Sequence, residues 1–188
     1  MVENYECLKN EIAYLHLQWE LYQKLFVQEK AFAEVLEKYG IVFGLLQRLM
    51  INNFALSFMK LTSKEKILGE PQLCLKKLIN GIDNYPSLSS DLNQIYNKFK
   101  NIGTGFKKHR DNRVAHNNLN IRIIDFQRGQ VNTGFSIKHL REFFMCLQEF
   151  MNTFADYFNL SRPGYEDFSD ECGRNLVDDI QSMLLALK

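Results

Sequence analysis

The chain has 188 residues, a formal net charge of +1, and 46% hydrophobic residues that include 15 Phe and 8 Tyr. That composition supplies a real core and excludes a disordered chain, and the near-zero charge means that the whole-molecule field selects no partner. Any polyanion preference has to come from local clustering.

One domain, or a domain with an extra helix at its end, fits this length. The four cysteines, Cys7, Cys74, Cys146 and Cys172, form no CxxC and no zinc-like spacing with histidine. They are read as free thiols of a reducing compartment. The opening residues, MVENYECLKNE, are polar and acidic and do not resemble a signal peptide. The longest apolar stretches are interrupted by Gln47, Arg48, Asn52 and Asn53, so no bilayer span and no membrane partner is expected, and the protein is expected to be cytoplasmic.

From Tyr5 the apolar positions Leu8, Ile12, Leu15, Trp19, Tyr22 and Phe26 alternate spacings of three and four, one stripe of an amphipathic helix. A second helical run covers about 31 to 61, through Phe32, Leu36, Phe43, Leu46, Met50, Phe54 and Phe58. A turn is expected near 28 to 31, and Gly40 and Gly44 are candidates for a close helix crossing. GEPQ at 69 to 72 breaks the chain before a short helix ending near Ile79. After the loop NGIDNYPSLSSD, a helix is expected to begin near Leu88 or Asp91 and to carry Leu92, Ile95, Phe99 and Ile102. Gly103 and Gly105 loosen it. IRIIDFQRGQVNTGFS, 121 to 136, is read as irregular. Ser136 is a good N-cap for a strong helix with the stripe Ile137, Leu140, Phe144, Leu147, Met151, Phe154 and Phe158. A final helix is expected from about Asp170 to Leu187. The fold class predicted is all-α, a bundle of about five to six helices. Residues 1–160 form the bundle, and 161–188 carry a C-terminal helix packed on the same domain.

Between Lys98 and Arg128 stand eight Lys or Arg and two acids, a local balance of +6 in a chain of +1. At its centre lies FKKHRDNRVAHNNLN, 106 to 120. Arg110 and His116 are six residues apart; on an uninterrupted α-helix they would point about 120° from each other. They converge only at a helix end or across two copies of the motif. Arg113 and His116, at i and i+3, share a face. Metal-free RNA cleavage needs a base for the ribose 2′-hydroxyl, an acid for the leaving 5′-oxygen, and positive charge at the phosphorane. Histidine exchanges protons near neutrality and arginine offers a planar, permanently charged donor set. Asp111 or Asn112 can orient either side chain. Phe106 and Phe126 suit base stacking but are read as core. Of the other histidines, His16 lies beside a core stripe, His139 in the first turn of a helix, and His109 as an exposed neighbour of the motif. No metal or cofactor is expected.

HRDNRVAHNN resembles the signature of HEPN domains, in which an arginine followed by a polar residue precedes a histidine with four to six intervening positions. Arg110, Asp111 and His116 match it, with five between. LHLQWELYQKLF (15 to 26) and FGLLQRLM (43 to 50) fit the AbiU-type abortive-infection branch, over roughly residues 10 to 160. The resemblance implies a helical homodimer whose two motifs face each other. It also implies a metal-independent endoribonuclease acting as a toxin or antiphage effector, with room for an antitoxin partner. Arg110 and His116 would be catalytic, and Asp111, Asn112 and Arg113 supporting. Lys107, Lys108, His109 and Asn117 are candidates for RNA contact. Two other readings stay open: a non-catalytic RNA- or partner-binding helical dimer, and a structural role in which Arg110 and His116 tie helix ends together.

Overall fold

Apolar residues spaced three and four apart line up only on a helix, and the first such stripe becomes α1, Val2–Phe26. The structure is a computed structural model that describes residues 1–27, 39–115, 135–165 and 182. Among the described residues the chain continues with α2 (Gly40–Leu61), a hairpin of β1 (Lys66–Ile67) and β2 (Glu70–Pro71), α3 (Leu75–Asn80) and α4 (Pro86–Ile102). Then come α5 (Thr104–His109), a π-helical turn (Arg110–Ala115) and α6 (Ile137–Phe158). The architecture is the expected all-α bundle. The turn expected near 28 to 31, the stretch 121 to 134 and, apart from Ser182, the final helix from Asp170 lie outside the described residues.

The chain divides into two compact units, Met1–Ile12 with Asn52–Pro163, and Ala13–Ile51 with Gly164–Lys188. In the first unit α4 packs along α6. Leu88, Leu92, Ile95, Tyr96 and Phe99 from α4 are buried, as are Leu140, Phe143, Phe144, Leu147, Phe150 and Phe154 from α6. Fully burying such side chains stabilises by roughly 1.5–3 kcal/mol each. Phe58 of α2 is the ring on which the other elements meet. Its centroid lies 5.2 Å from Phe99, 5.6 Å from Phe106 and 6.3 Å from Phe143, so one side chain touches α4, α5 and α6.

The ring needs room, and Gly103 provides it. The backbone there, φ −76° and ψ −2°, is open to any residue. A Cβ at this position, however, would overlap the Phe58 ring. Gly103 therefore permits a close approach, rather than merely loosening the helix as its propensity suggests.

Two element boundaries differ from the sequence expectation. α4 begins at Pro86, earlier than Leu88 or Asp91, because proline at the first helical position forfeits no hydrogen bond and has its φ preset. Its N-cap, Tyr85, makes no side-chain capping bond; instead its ring sits edge-on to Phe158 at 5.2 Å and Tyr157 at 5.6 Å. The break at GEPQ is part of a two-residue hairpin, with both Leu68 (φ 53°) and Gly69 (φ 89°) in the left-handed region. That is the twist a tight hairpin requires. Ser136 caps α6 as expected, its Oγ accepting from the His139 backbone N–H while the Ser136 N–H donates to His139 Nδ1 at 3.0 Å. His139 thus fills the place that Glu usually takes in a capping box.

In the second unit, Leu15, Trp19, Tyr22 and Leu25 are buried, and Leu21, Phe26, Phe43 and Leu46 pack around Leu25. The close helix crossing expected at Gly40 and Gly44 is not found: no described residue lies within 4 Å of a side chain placed at either. By length and composition alone α2 is apolar enough to cross a membrane, which the interruptions at Gln47, Arg48, Asn52 and Asn53 had been expected to prevent. His16 is buried, its ring 4.1 Å from that of Tyr165, and burial lowers its pKa to about 4.

These packings are open to two measurements. Gly103→Ala should lower stability by about 1–3 kcal/mol through overpacking, read as a lower urea midpoint. Trimming the opposing ring with Phe58→Leu in the same chain should cost less than the two single changes added together. For His16, the folded pKa lies below the unfolded value, so between the two the unfolded chain binds more protons. Its contribution is complete above pH about 6.5 and is lost as pH falls towards 4, at most about 3 kcal/mol. Urea midpoints at intervals across that window should fall more steeply with acidification for the wild type than for His16→Leu.

Candidate functional site

From Pro86 to Ala115 the chain is helical except at Gly103, which donates its N–H to the carbonyls of Phe99 and Lys100 and accepts from the N–H of Lys107. The basic cluster is therefore mounted on an element held at its base by Phe58. On α5, Phe106 and His109 stand three apart and share the inward face. Both are buried, Phe106 fully, as the core reading expected. Lys107 and Lys108 fall on the outward face and are exposed.

This arrangement corrects one expectation. His109 is only 4% exposed, so it is not the exposed RNA-contacting neighbour that its charged surroundings suggest. Its Nε2 lies 2.8 Å from Asn52 Oδ1 on α2, 57 residues away in sequence. An amide oxygen only accepts, so Nε2 carries the hydrogen in this bond. The ring of Phe135 stands edge-on to His109, with centroids 5.5 Å apart. Asn52 was singled out in the sequence only as a polar interruption of an apolar run. The signal that could have marked it is its place three residues before buried Ala55, on the same helix face.

The motif itself occupies the π turn, Arg110–Ala115. In such a turn hydrogen bonds run from i to i+5, and single π turns inserted in helices are frequent at functional sites. The extra residue per turn rotates the residues after it relative to an α-helical stripe. The separation of about 120° for Arg110 and His116 on an unbroken α-helix therefore does not apply across this segment. His116 and Asn117 lie outside the described residues. Arg110 Nε pairs with Asp111 Oδ1 at 2.9 Å, the two side chains being 29% and 38% exposed. Asn112 and Arg113 are half-buried in the same turn.

The positive charges are not equivalent. Lys98 pairs with Glu149 at 3.3 Å on the surface, and Lys100 stands 5.7 Å over the Tyr96 ring. Lys107 and Lys108, in the turn before Arg110, place cationic groups next to the motif. Among the described residues no group of three or more His, Cys, Asp or Glu is arranged to hold a metal ion. The assembly amounts to an arginine at the head of a π turn, steadied by a carboxylate and preceded by two exposed lysines. Such an arrangement suits contact with phosphate oxygens.

The chain matches the family model for AbiU2 of the HEPN domains over residues 2–176, starting earlier and reaching further than the stretch from 10 to 160 on which the sequence resemblance rests. No curated protein and no solved structure matches it.

Proposed function

Since the chain belongs to the AbiU2 family of HEPN domains, whose motif it carries at Arg110, Asp111 and His116, we propose that it is a metal-independent endoribonuclease of toxin or antiphage-defence type. In this reading a homodimer brings two motifs to one RNA strand. The observation that carries it is the placement of Arg110 at the head of the π turn, partly exposed, with Lys107 and Lys108 exposed just before it.

The chemistry asks little more of the protein. A base takes the proton of the ribose 2′-hydroxyl, O2′ forms a bond to phosphorus, and the bond from phosphorus to O5′ breaks while an acid returns a proton to O5′. The products are a 2′,3′-cyclic phosphate and a 5′-hydroxyl. His116 is the group with a suitable pKa range for moving these protons, and its counterpart in the second copy supplies the complementary step. Arg110 meets the charge that gathers on the phosphorane oxygens. Asp111 orients the guanidinium, and Asn112 and Arg113 support the turn. Lys107, Lys108 and Asn117 hold the flanking phosphates. An antitoxin partner in the cell fits the same reading.

Cleavage of a mixed RNA by the purified protein in EDTA, beside His116→Ala, tests this. The wild type should yield 2′,3′-cyclic ends, and the variant should lose about 10²–10⁴-fold in rate with its helicity and oligomeric state kept. Equal cleavage by both, or a requirement for added magnesium, would overturn the mechanism. Binding that persists in both without cleavage would instead favour the non-catalytic module. Expression of the wild type should slow host growth, and the His116 variant should relieve it.

The exposed lysines give a second, independent measurement. Removing one phosphate-neutralising lysine should flatten the dependence of log K on log salt by about 0.7 for a single strand. Lys107→Ala and Lys108→Ala should each show that change, whereas Lys98→Ala, whose ammonium already faces Glu149, should show less.

A further inference from the structure

The guanidinium of Arg110 is useful only if it points at the phosphate, and Arg110 is the first residue of a π turn, where the α-helical i to i+4 pattern gives way to i to i+5. The partly exposed pair with Asp111 acts only on the end of the side chain, so the helix before Arg110 sets the face from which it projects. The last residue of that helix is His109, buried and bonded through Nε2 to Asn52 Oδ1 at 2.8 Å. Asn52 stands half-buried on α2, on the face of buried Ala55 and six residues before Phe58.

An apolar pair would fill the same space without withdrawing His109 almost wholly and Asn52 partly from water, and a neutral hydrogen bond returns only about 1 kcal/mol net. What such a bond adds is direction. Apolar contacts let a short helix turn about its axis, whereas an N–H···O bond weakens steeply once it bends. On α5, a rotation by one residue, about 100°, would carry Arg110 off the face it now occupies. We propose that Asn52 and His109 are a positioning pair that fixes the rotation of α5 and thereby aims Arg110, without either touching RNA. What Arg110 is aimed at rests on the ribonuclease reading; the tie itself does not.

The experiment compares Asn52→Leu, His109→Leu and His109→Gln with the wild type in two readouts. One is the Nε–Hε signal of Arg110 in protein labelled with ¹⁵N-arginine, identified by its loss in Arg110→Lys. The other is kcat and KM for RNA cleavage, taken well below the melting temperature of each variant. Both leucine variants should move the Arg110 signal to the position of a free arginine. They should lower kcat by about 10²-fold, the penalty of a misplacement near 1 Å, with KM unchanged. Glutamine carries an amide N–H roughly where Nε2–H stands, so His109→Gln should keep the Arg110 signal and most of kcat.

Leucine variants that fold, as judged by circular dichroism, yet leave the Arg110 signal in place would overturn the proposal. So would a His109→Gln variant that is inactive with the signal intact, because His109 would then be exchanging protons itself. If His109→Leu does not fold, Asn52→Leu and His109→Gln decide. A wild type that cleaves no RNA sinks the ribonuclease reading alone, and the Arg110 signal still decides the positioning pair.

Discussion

The ring of Phe58 stands where any residue but glycine at position 103 would place a side chain, and the first unit is organised around that contact. Because Gly103 is the single non-helical residue between α4 and α5, the same close approach joins the two helices and holds both against α2. Phe99, Phe106 and Phe143 complete the cluster, with Phe99 and Phe106 each within 5.3 Å of Phe143. Ring pairs of this kind contribute about 0.5–1.5 kcal/mol each beyond their burial. Through Phe106 the cluster therefore holds α5 against α2 and α6, and the motif follows directly on α5. Apolar packing several residues upstream thus seats α5, while its rotation is left to the directional His109–Asn52 contact.

Much of this was legible in the sequence, for a physical reason. A helix stripe is a local, periodic signal, so Leu8, Ile12, Leu15, Trp19 and Tyr22 were read as one buried face and are one. Caps made by a side chain on its own backbone are local as well, as Ser136 illustrates. What escaped depends on residues distant in sequence. Gly103 looks like a weak helix former until Phe58, 45 positions earlier, is known to need its space. His109 is flanked by Lys108 and Arg110 and reads as surface; Asn52, 57 residues away, and Phe135 meet it in the interior. The Leu68–Gly69 turn escaped because leucine rarely adopts positive φ.

The candidate site was legible in identity more than in geometry. Arg110, Asp111 and the flanking lysines were named from their spacing and charge, and the structure separates them by role. Lys107 and Lys108 face outwards, Lys98 is partnered by Glu149, and His109 belongs to the interior. A sequence count gives all these groups the same weight, whereas only a helix face tells an outward lysine from an inward imidazole. The π turn was the least legible feature, since nothing in RDNRVA distinguishes an i to i+5 turn from an α-helical one.

The site combines two energy scales. Beneath Arg110 lie one directional contact, the part-buried His109–Asn52 bond, and one of apolar packing, the Phe58 cluster. Removing one partner of a buried bond costs about 1–3 kcal/mol because the other is left desolvated. At the tip, Arg110 meets Asp111 across a partly exposed pair 2.9 Å long, and exposed pairs contribute only about 0–1 kcal/mol. In the proposed ribonuclease, a carboxylate held that weakly would give way to a phosphate that offers more acceptor oxygens. An arginine buried in a strong ion pair would be well placed but unavailable, and one without a firm base would be available but badly placed. In this fold the packed contacts lie below the residue and the weak, partly exposed one at its end, the division that the proposed phosphate contact by Arg110 requires.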